Sequence, residues 1–283
     1  MLAIMLLSGI TMKITTISNQ STKTISYTFA ELWNYRYLII AFSKRDIAVK
    51  YFQTILGPIW LILTPLITVG IMTFVFGLMV KIPSDGLPYL VFYLVAIVSW
   101  YAFTNLLNMT ISSLEGNLSL INKIYFPRLV LPSSYAGNVV IDYSVGYVTC
   151  IIVCFLYGLN AFGFALIAPV LLLIQLMWAM GLGLWLAPIN ASFRDVKHAI
   201  PLFLQLYYFC NPILYPKSIA PEWISWIYDV NPLAVCISTL RSVIAGNTPN
   251  MMVISFALVL SILVFVSGVK HFEYHSNKTI DVL

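Results

Sequence analysis

Five long apolar runs, at about 55–80, 88–112, 134–159, 162–189 and 250–269, divide the chain, and each is nearly free of charge. At about 1.5 Å per helical residue, each is long enough to cross the ~30 Å of hydrocarbon in a bilayer. A sixth run, 199–215, is shorter and contains Pro201 and Pro212. The stretch 216–247 alternates short apolar pieces with Pro216, Pro221 and Pro232 and with Glu222, Asp229 and Arg241. Its pieces are too short to span. The pattern predicts a re-entrant pair of half-helices, which is tolerated only where protein or water covers the backbone.

Ahead of these runs, residues 29–54 mix Trp33, Tyr35, Arg36, Tyr37, Lys44, Arg45, Lys50 and Tyr51. Aromatic and basic side chains together favour the headgroup layer, so this segment predicts an interfacial amphipathic helix. Residues 1–12 are apolar but too short to cross, and they lack the charged start of a signal peptide. Met12 is a second candidate start. Residues 13–28 are rich in Ser, Thr and Asn, and the whole of 1–28 is expected to be disordered. The expected fold is an all-α integral membrane protein. It has six transmembrane helices within 55–283, an N-terminal interfacial helix over 29–54 and a re-entrant helical pair over 216–247.

Charge then fixes the orientation. With the N-terminus in the cytoplasm, the inner side holds Lys13, Lys23, Arg36, Lys44, Arg45, Lys50, Lys123, Arg128, Arg194, Lys197, Lys270 and Lys278. The outer side holds only Lys81, Lys217 and Arg241. Cytoplasmic loops carry the excess of Lys and Arg, so both termini are expected inside, with 81–87 and 217–247 outside. Composition agrees. Of 283 residues, 60% are hydrophobic and 9% charged, against about 25% charged in a soluble domain. A soluble enzyme of this length could not hide that much apolar surface. The net charge of +5 is spread through the gaps between runs, which argues against nucleic acid as a partner.

Recognisable catalytic chemistry is missing from the sequence. There is no G-x-x-x-x-G-K-[ST], G-x-S-x-G or H-E-x-x-H, and no acidic pair placed to hold Mg²⁺. The four cysteines form no metal-ligand pattern, and Cys150 and Cys154 read as buried thiols on one helix face. Asp142 is the one carboxylate deep in a span. Its charge should face protein or water, in a hydrogen-bonding role or on a transport path. Ala179, Gly183 and Ala187 make a small-residue face suited to close helix packing, within the chain or across a dimer seam. Two aromatic clusters, Trp100-Tyr101-Phe103 and Tyr207-Tyr208-Phe209, offer flat surfaces on which a sugar ring can lie. The polar loop 114–133 carries Ile121, Ile124, Tyr125, Phe126, Leu129 and Val130, which a purely solvated loop would not need. A docked partner or the membrane surface would cover them.

The segments RDIAVKYFQTILGPIWLILTPL (45–66), NKIYFPRLVLP (122–132), FRDV (193–196), NPILYP (211–216) and NPLAVCISTLRSVIAG (231–246) occur in that order. Over about 30–283 the chain resembles the membrane (permease) subunits of ABC-type polysaccharide exporters, the Wzm-, KpsM- and TagG-like proteins of O-antigen, capsule and teichoic-acid export. The resemblance implies a homodimer in the bacterial inner membrane, paired with two ATPase subunits that bind the ATP and Mg²⁺. This chain itself would then hold no cofactor and no metal. It implies that segment 122–132 contains or flanks the helix seated in the ATPase, with Lys123, Tyr125, Phe126 and Arg128 as the coupling set and Arg194 and Asp195 as an alternative route. The implied cargo is a glycan on undecaprenyl pyrophosphate. Arg36, Arg45 and Lys50 are candidates to meet its pyrophosphate at the entrance, because guanidinium forks match phosphate oxygens. Trp100, Tyr101, Tyr207 and Tyr208 are candidates to line the glycan channel.

Three competing readings carry specific requirements. A permease for a small lipid or drug would share the architecture. A polyprenyl-phosphate glycosyltransferase needs an acidic metal motif, and the inner loops offer only Glu115 and Asp195. A secondary transporter would rest on Asp142 alone.

Overall fold

The computed structural model describes residues 25–52, 55–193 and 195–280. The expectation of disorder for residues 1–24 lies outside the described residues. Residues 25–28, by contrast, already belong to a helix.

Every regular element among the described residues is helical. The elements are α1 (Ile25–Asn34), α2 (Arg36–Phe52), α3 (Trp60–Met72), α4 (Tyr89–Ile111), α5 (Leu118–Ile121), α6 (Val130–Leu156), α7 (Ala161–Ser192), α8 (Val196–Phe209), α9 (Glu222–Val230), α10 (Pro232–Ile244) and α11 (Met251–Ile280). A single turn, Gly57–Ile59, leads into α3, and a π-helical stretch, Thr73–Met79, prolongs it. Five helical stretches are long and apolar enough to cross a membrane: Gly57–Met79, Tyr89–Ile111, Val130–Leu156, Ala161–Ser192 and Met251–Ser276.

The sixth expected span is different. Helix α8 has 14 residues, about 21 Å of rise, which is short of the hydrocarbon thickness on its own. Its ends nevertheless lie at the two ends of α4. Lys197 pairs with Glu115, just beyond the C-terminus of α4. The carbonyls of Pro212 and Ile213, just past α8, accept hydrogen bonds from Arg241, which also donates to the carbonyl of Phe92 near the start of α4. Helix and irregular extension together thus run the length of the central helix.

The loops sort onto two ends of the bundle. At one end Glu115 meets Lys197 and Asn190, and Arg128 donates to the carbonyl of Ser276. At the other, Ser218 donates to Asp85 at 2.7 Å, and Asn160 donates to the carbonyl of Val243 at 3.2 Å. The first end gathers the segments expected inside, and the second those expected outside.

Local chemistry sets the boundaries. Helices α6 and α10 end in matching hydrogen-bonded turns. Gly158 and Gly246, at φ +67° and +88°, donate to Phe155 and Val243, and the residues after them donate to Cys154 and Ser242. A left-handed residue there costs glycine nothing, and the turn satisfies orphan carbonyls. Asn160 caps α7 through Gly163 N at 2.9 Å. Asn231 caps α10 through Leu233 N at 3.1 Å, with Pro232 preset at the first helical position.

The core is built around α4, which packs on α3, α6, α7 and α10. Residues 91–100 of α4 are all buried. Small residues let the neighbours close in on it. A Cβ on Gly183 of α7 would sit 2.6 Å from Thr110, and one on Gly146 of α6 would sit 2.9 Å from Val98. The Ala179–Gly183–Ala187 face is therefore used within the chain, with Ala179 and Ala187 fully buried. The closest helix approach is between α7 and α11. A Cβ on Gly268 would stand 2.5 Å from the Gly181 carbonyl oxygen, and one on Gly181 would stand 2.7 Å from the Phe265 nitrogen. Because the obstacle is backbone on both sides, α7 and α11 would have to separate. Gly268→Val is expected to cost about 1–3 kcal/mol by overpacking, visible as a lower thermal midpoint and yield of the detergent-purified protein. An unchanged midpoint would show that the two helices are free to part.

Candidate functional site

Helix α2 does not lie free of the bundle. It runs along the first turns of α6, with Ser43 donating to the carbonyl of Ser134 at 2.7 Å and Lys50 reaching Asp142. Residues 134 to 142 represent about 12 Å of helix. The docked face includes Leu38, Ile39 and Phe42, packed on a small core of Phe126, Val130 and Leu131. The opposite face leaves Tyr37, Ile40 and Val49 exposed.

Asp142, a carboxylate deep in α6, is 8% exposed and, among the described residues, is met by two side chains of α2. Lys50 Nζ lies 2.5 Å from Oδ2, and the Tyr51 hydroxyl donates to Oδ1 at 2.7 Å. Burial, reinforced by that hydrogen bond, pushes the Tyr51 phenol up, so it remains a donor across the neutral range. Of the two roles expected for Asp142, the hydrogen-bonding one is the one the geometry displays.

Beside this pair is a cavity of about 750 Å³ at the basic end, between α2, the C-terminus of α4, segment 116–124 and α6. Arg45, Lys50 and Lys123 supply positive charge to its wall, and Asp46, Asn138 and Asp142 supply polar oxygen. Its size is that of a small-molecule site. The expected entrance trio does not converge on it. Arg45 and Lys50 line the cavity, but Arg36 is not in its wall. Arg36 instead donates to the carbonyl of Trp33 at 3.0 Å and stacks over Tyr37 at 4.5 Å. Lys123, expected to couple the chain to its ATPase, lines the cavity in its place. Arg45 is itself held by Asp46 at 2.7 Å, so the two fixed pairs leave the wall only partly neutralised.

The expected channel aromatics also separate into two groups. Trp100, Phe103, Tyr207 and Tyr208 pack on one another where α4 meets α8, with Trp100–Tyr208 at 5.1 Å and Phe103–Tyr207 at 5.3 Å. Tyr207 is a polar hub there. It accepts from Trp178 Nε1 at 3.0 Å and donates to Asn231 Oδ1 at 2.6 Å, while Asn231 donates to Asn211 and Asn211 to the Tyr207 carbonyl. That network ties α7, α8 and α10 together and gives Tyr207 a structural task. Tyr101 points elsewhere, with its hydroxyl 3.0 Å from that of Thr68 on α3.

Tyr101 heads a feature that sequence reasoning passed over. After residue 100 the buried surface of α4 opens on one side. Asn105, Asn108 and Ser112 are exposed there, and Tyr101 and Met109 are half-buried. Steps of four, three and four residues keep Tyr101, Asn105, Asn108 and Ser112 on one helical face. Asn105 donates to the Tyr143 hydroxyl of α6 at 2.8 Å. The face therefore sits between α3 and α6, and it descends into the cavity through Met109 and Ser112. A buried amide without a partner costs about 1–3 kcal/mol, so such a face is not suited to lipid. The i, i+3, i+7 spacing of Asn105, Asn108 and Ser112 inside an apolar run was the available signal.

The expected coupling set splits as well. Phe126 is 6% exposed and meets Phe42 edge-on at 5.7 Å, so it anchors α2. Tyr125 and Ile124 are 74% and 56% exposed. Arg128 is engaged with the Ser276 carbonyl, and Asp195 is exposed at the start of α8. Arg194 lies outside the described residues. No group of three or more metal-ligating side chains occurs among the described residues.

Residues 37–245 match the model of the family described as ABC-2 type transporter. Among similar curated proteins, an O-antigen export system permease protein RfbA of Klebsiella pneumoniae is 26% identical over 247 residues, covering 87% of this chain and 95% of the relative. An RfbA of Myxococcus xanthus is 28% identical over 188 residues, covering 66% and 72%. The polysialic acid transport protein KpsM of Escherichia coli is 22% identical over 212 residues, covering 72% and 80%.

The Lys50–Asp142 pair yields a rank-order prediction. Removing one partner strands a buried charge, whereas replacing both with apolar groups removes the penalty. Lys50→Met is expected to lower thermal stability in detergent by about 1–3 kcal/mol, discounted because Lys50 is half exposed. Lys50→Met combined with Asp142→Leu should recover most of that loss. A double variant weaker than Lys50→Met would show that the hydrogen bond from Tyr51 to the carboxylate outweighs the cost of the stranded charge.

Proposed function

The chain belongs to the ABC-2 type transporter membrane family, and from that membership we propose that it is the permease subunit of a bacterial polysaccharide exporter driven by a separate ATPase. One observation carries the reading. Relatives named as O-antigen export permeases align with this chain over 87% of its length and almost all of their own. The five long apolar helices support a multi-pass membrane protein, and the charge asymmetry supports both termini in the cytoplasm. In this reading α8 with its irregular extension makes the sixth crossing, and α9–α10 form the re-entrant pair on the outer side. The membrane is the bacterial inner membrane.

The working unit is two copies of this chain with two ATPase subunits. The partner supplies ATP hydrolysis, and this chain supplies the path and receives the stroke. Ile124 and Tyr125, exposed at the basic end and bracketed by Lys123 and Arg128, have the apolar centre and polar rim of a docking element. The cargo is a glycan carried on a lipid pyrophosphate. Its phosphates suit the cavity walled by Arg45, Lys50 and Lys123, where fixed positive charge meets an anionic headgroup at the depth of the inner leaflet.

Deletion of the gene in its native host is expected to abolish surface polysaccharide, with the lipid-linked glycan accumulating inside. Purification in mild detergent should recover an ATPase subunit in equal amount. Ile124→Ala with Tyr125→Ala should insert normally but lose the ATPase or stop export, since exposed aromatic anchors at such interfaces carry ~2 kcal/mol or more. Unchanged surface polysaccharide after deletion would overturn the export reading. Full export by the double variant would place the docking element elsewhere.

A further inference from the structure

The central helix α4 is closed to its surroundings over 91–100 and then opens only along Tyr101, Asn105, Met109, Asn108 and Ser112. Four of these five are polar, and none is charged. The open face begins at the cavity of about 750 Å³, where Met109 and Ser112 are part of the wall. From Ser112 to Tyr101 it climbs about 16 Å, roughly half the hydrocarbon thickness. Its flanks are fixed by hydrogen bonds, Tyr101 to Thr68 of α3 and Asn105 to Tyr143 of α6. The result is an exposed polar strip of α4, a groove between two helices whose foot enters the wall of a cavity where Lys123 joins the Arg45–Asp46 and Lys50–Asp142 pairs.

Resting on the export reading above, we infer that this groove is the inner half of the glycan path, and that Asn105 and Asn108 read the hydroxyls of the sugar chain. The chemistry of the two ends differs in the way a phosphate-linked sugar requires. The pocket offers Lys123, and the remaining N–H groups of the paired Arg45 and Lys50, to phosphate oxygens, which only accept hydrogen bonds. Sugar hydroxyls both donate and accept. A primary amide does the same from one side chain, without the charge that would hold a polymer in place. Tyr101 adds an aromatic face at the top of the groove, next to a hydroxyl already oriented by Thr68. A lipid tail has no use for these groups. A second copy of the chain is the other possible occupant, and it is tested directly below.

Asn108 is the residue to change first, because Asn105 also supports α6 through Tyr143. In the native host, with the gene replaced on the chromosome, Asn108→Leu is expected to reduce the rate of surface glycan appearance at least tenfold. Membrane level and ATPase recovery should match the wild type. Asn108→Ser, which keeps a donor and an acceptor, should export within about threefold of wild type. A deletion strain that still displays glycan would defeat the export reading itself, and that arm is read separately. If the wild type exports and Asn108→Leu exports equally well, the groove is not the path. Asn108→Cys in a version lacking the four native cysteines closes the remaining alternative. Labelling by a small hydrophilic maleimide, slowed when lipid-linked glycan accumulates in the membrane, supports the path. Spontaneous disulfide crosslinking between two copies at this position identifies the groove as a dimer seam and overturns the inference.

Discussion

Hydrocarbon offers no hydrogen bonds, and that constraint decides where every polar group of this chain resides. Arg241 shows it most clearly. The side chain is 7% exposed and lies 3.4 Å above the Phe92 ring, with its nitrogens donating to the carbonyls of Phe92, Pro212 and Ile213. Those carbonyls belong to backbone that has no helical partner of its own at 212–213. The guanidinium thus solves two problems at once. It satisfies the irregular chain that completes α8, and the carbonyl oxygens replace the water its own charge has lost. Because the same group also grips the start of α4, the hairpin of α9 and α10 is pinned to the central helix.

The same rule governs the other end. Asp142 can sit in α6 only because α2 brings Lys50 and Tyr51 to it, and α2 is held in place by Phe42 against Phe126. The segment around residue 125 consequently has one side outside and one side inside. Tyr125 is exposed, while its neighbour Phe126 is buried against α2. Tyr125 is joined by a single peptide link to Phe126, which packs on α2, and α2 in turn meets α6 at Ser134 and at Asp142, about 12 Å further along that helix. Packed interiors of this density transmit displacement rather than absorb it.

Much of the architecture was legible in the chain because lipid imposes a simple code. Apolar runs of about 20 residues stand out against loops that hold nearly all the charge, and family order in five short motifs added the arrangement. Helix ends lie a few residues from the ends of the apolar runs, as at Val130 and Ser192. The sites were less legible because partners lie far apart in sequence. Lys50 and Asp142 are 92 residues apart, and Arg241 meets Phe92 across 149. No local pattern announces such a pair. Residue type alone could not separate Tyr125 from Phe126, or Trp100 from Tyr101, although each pair parts company in space. In α4 adjacent residues point about 100° apart, which parts Trp100 from Tyr101, whereas Tyr125 and Phe126 part in an irregular segment where only Phe126 meets α2.

The aromatic content illustrates the cost of reading chemistry from composition. Trp100, Tyr207 and Tyr208 were expected, with Tyr101, to line a channel because they are large, flat and clustered. In the folded chain their clustering serves cohesion. Their rings fill the contact of α4 with α8, and the Tyr207 hydroxyl joins an amide network through Asn211 and Asn231. Helix α8 needs that attachment, since Leu202, Phe203, Leu206 and Phe209 leave its other face exposed. The polar residues of α4 tell the opposite story. Two asparagines in a membrane helix are expensive unless something polar meets them, and among the described residues Asn105 has a Tyr hydroxyl to answer it while Asn108 faces outward. Amides on an open face of the most buried helix call for a polar occupant, and that is the physical ground of the inference drawn from α4. In a chain otherwise organised to keep polar groups away from hydrocarbon, such a face argues for a path more strongly than clustered rings do.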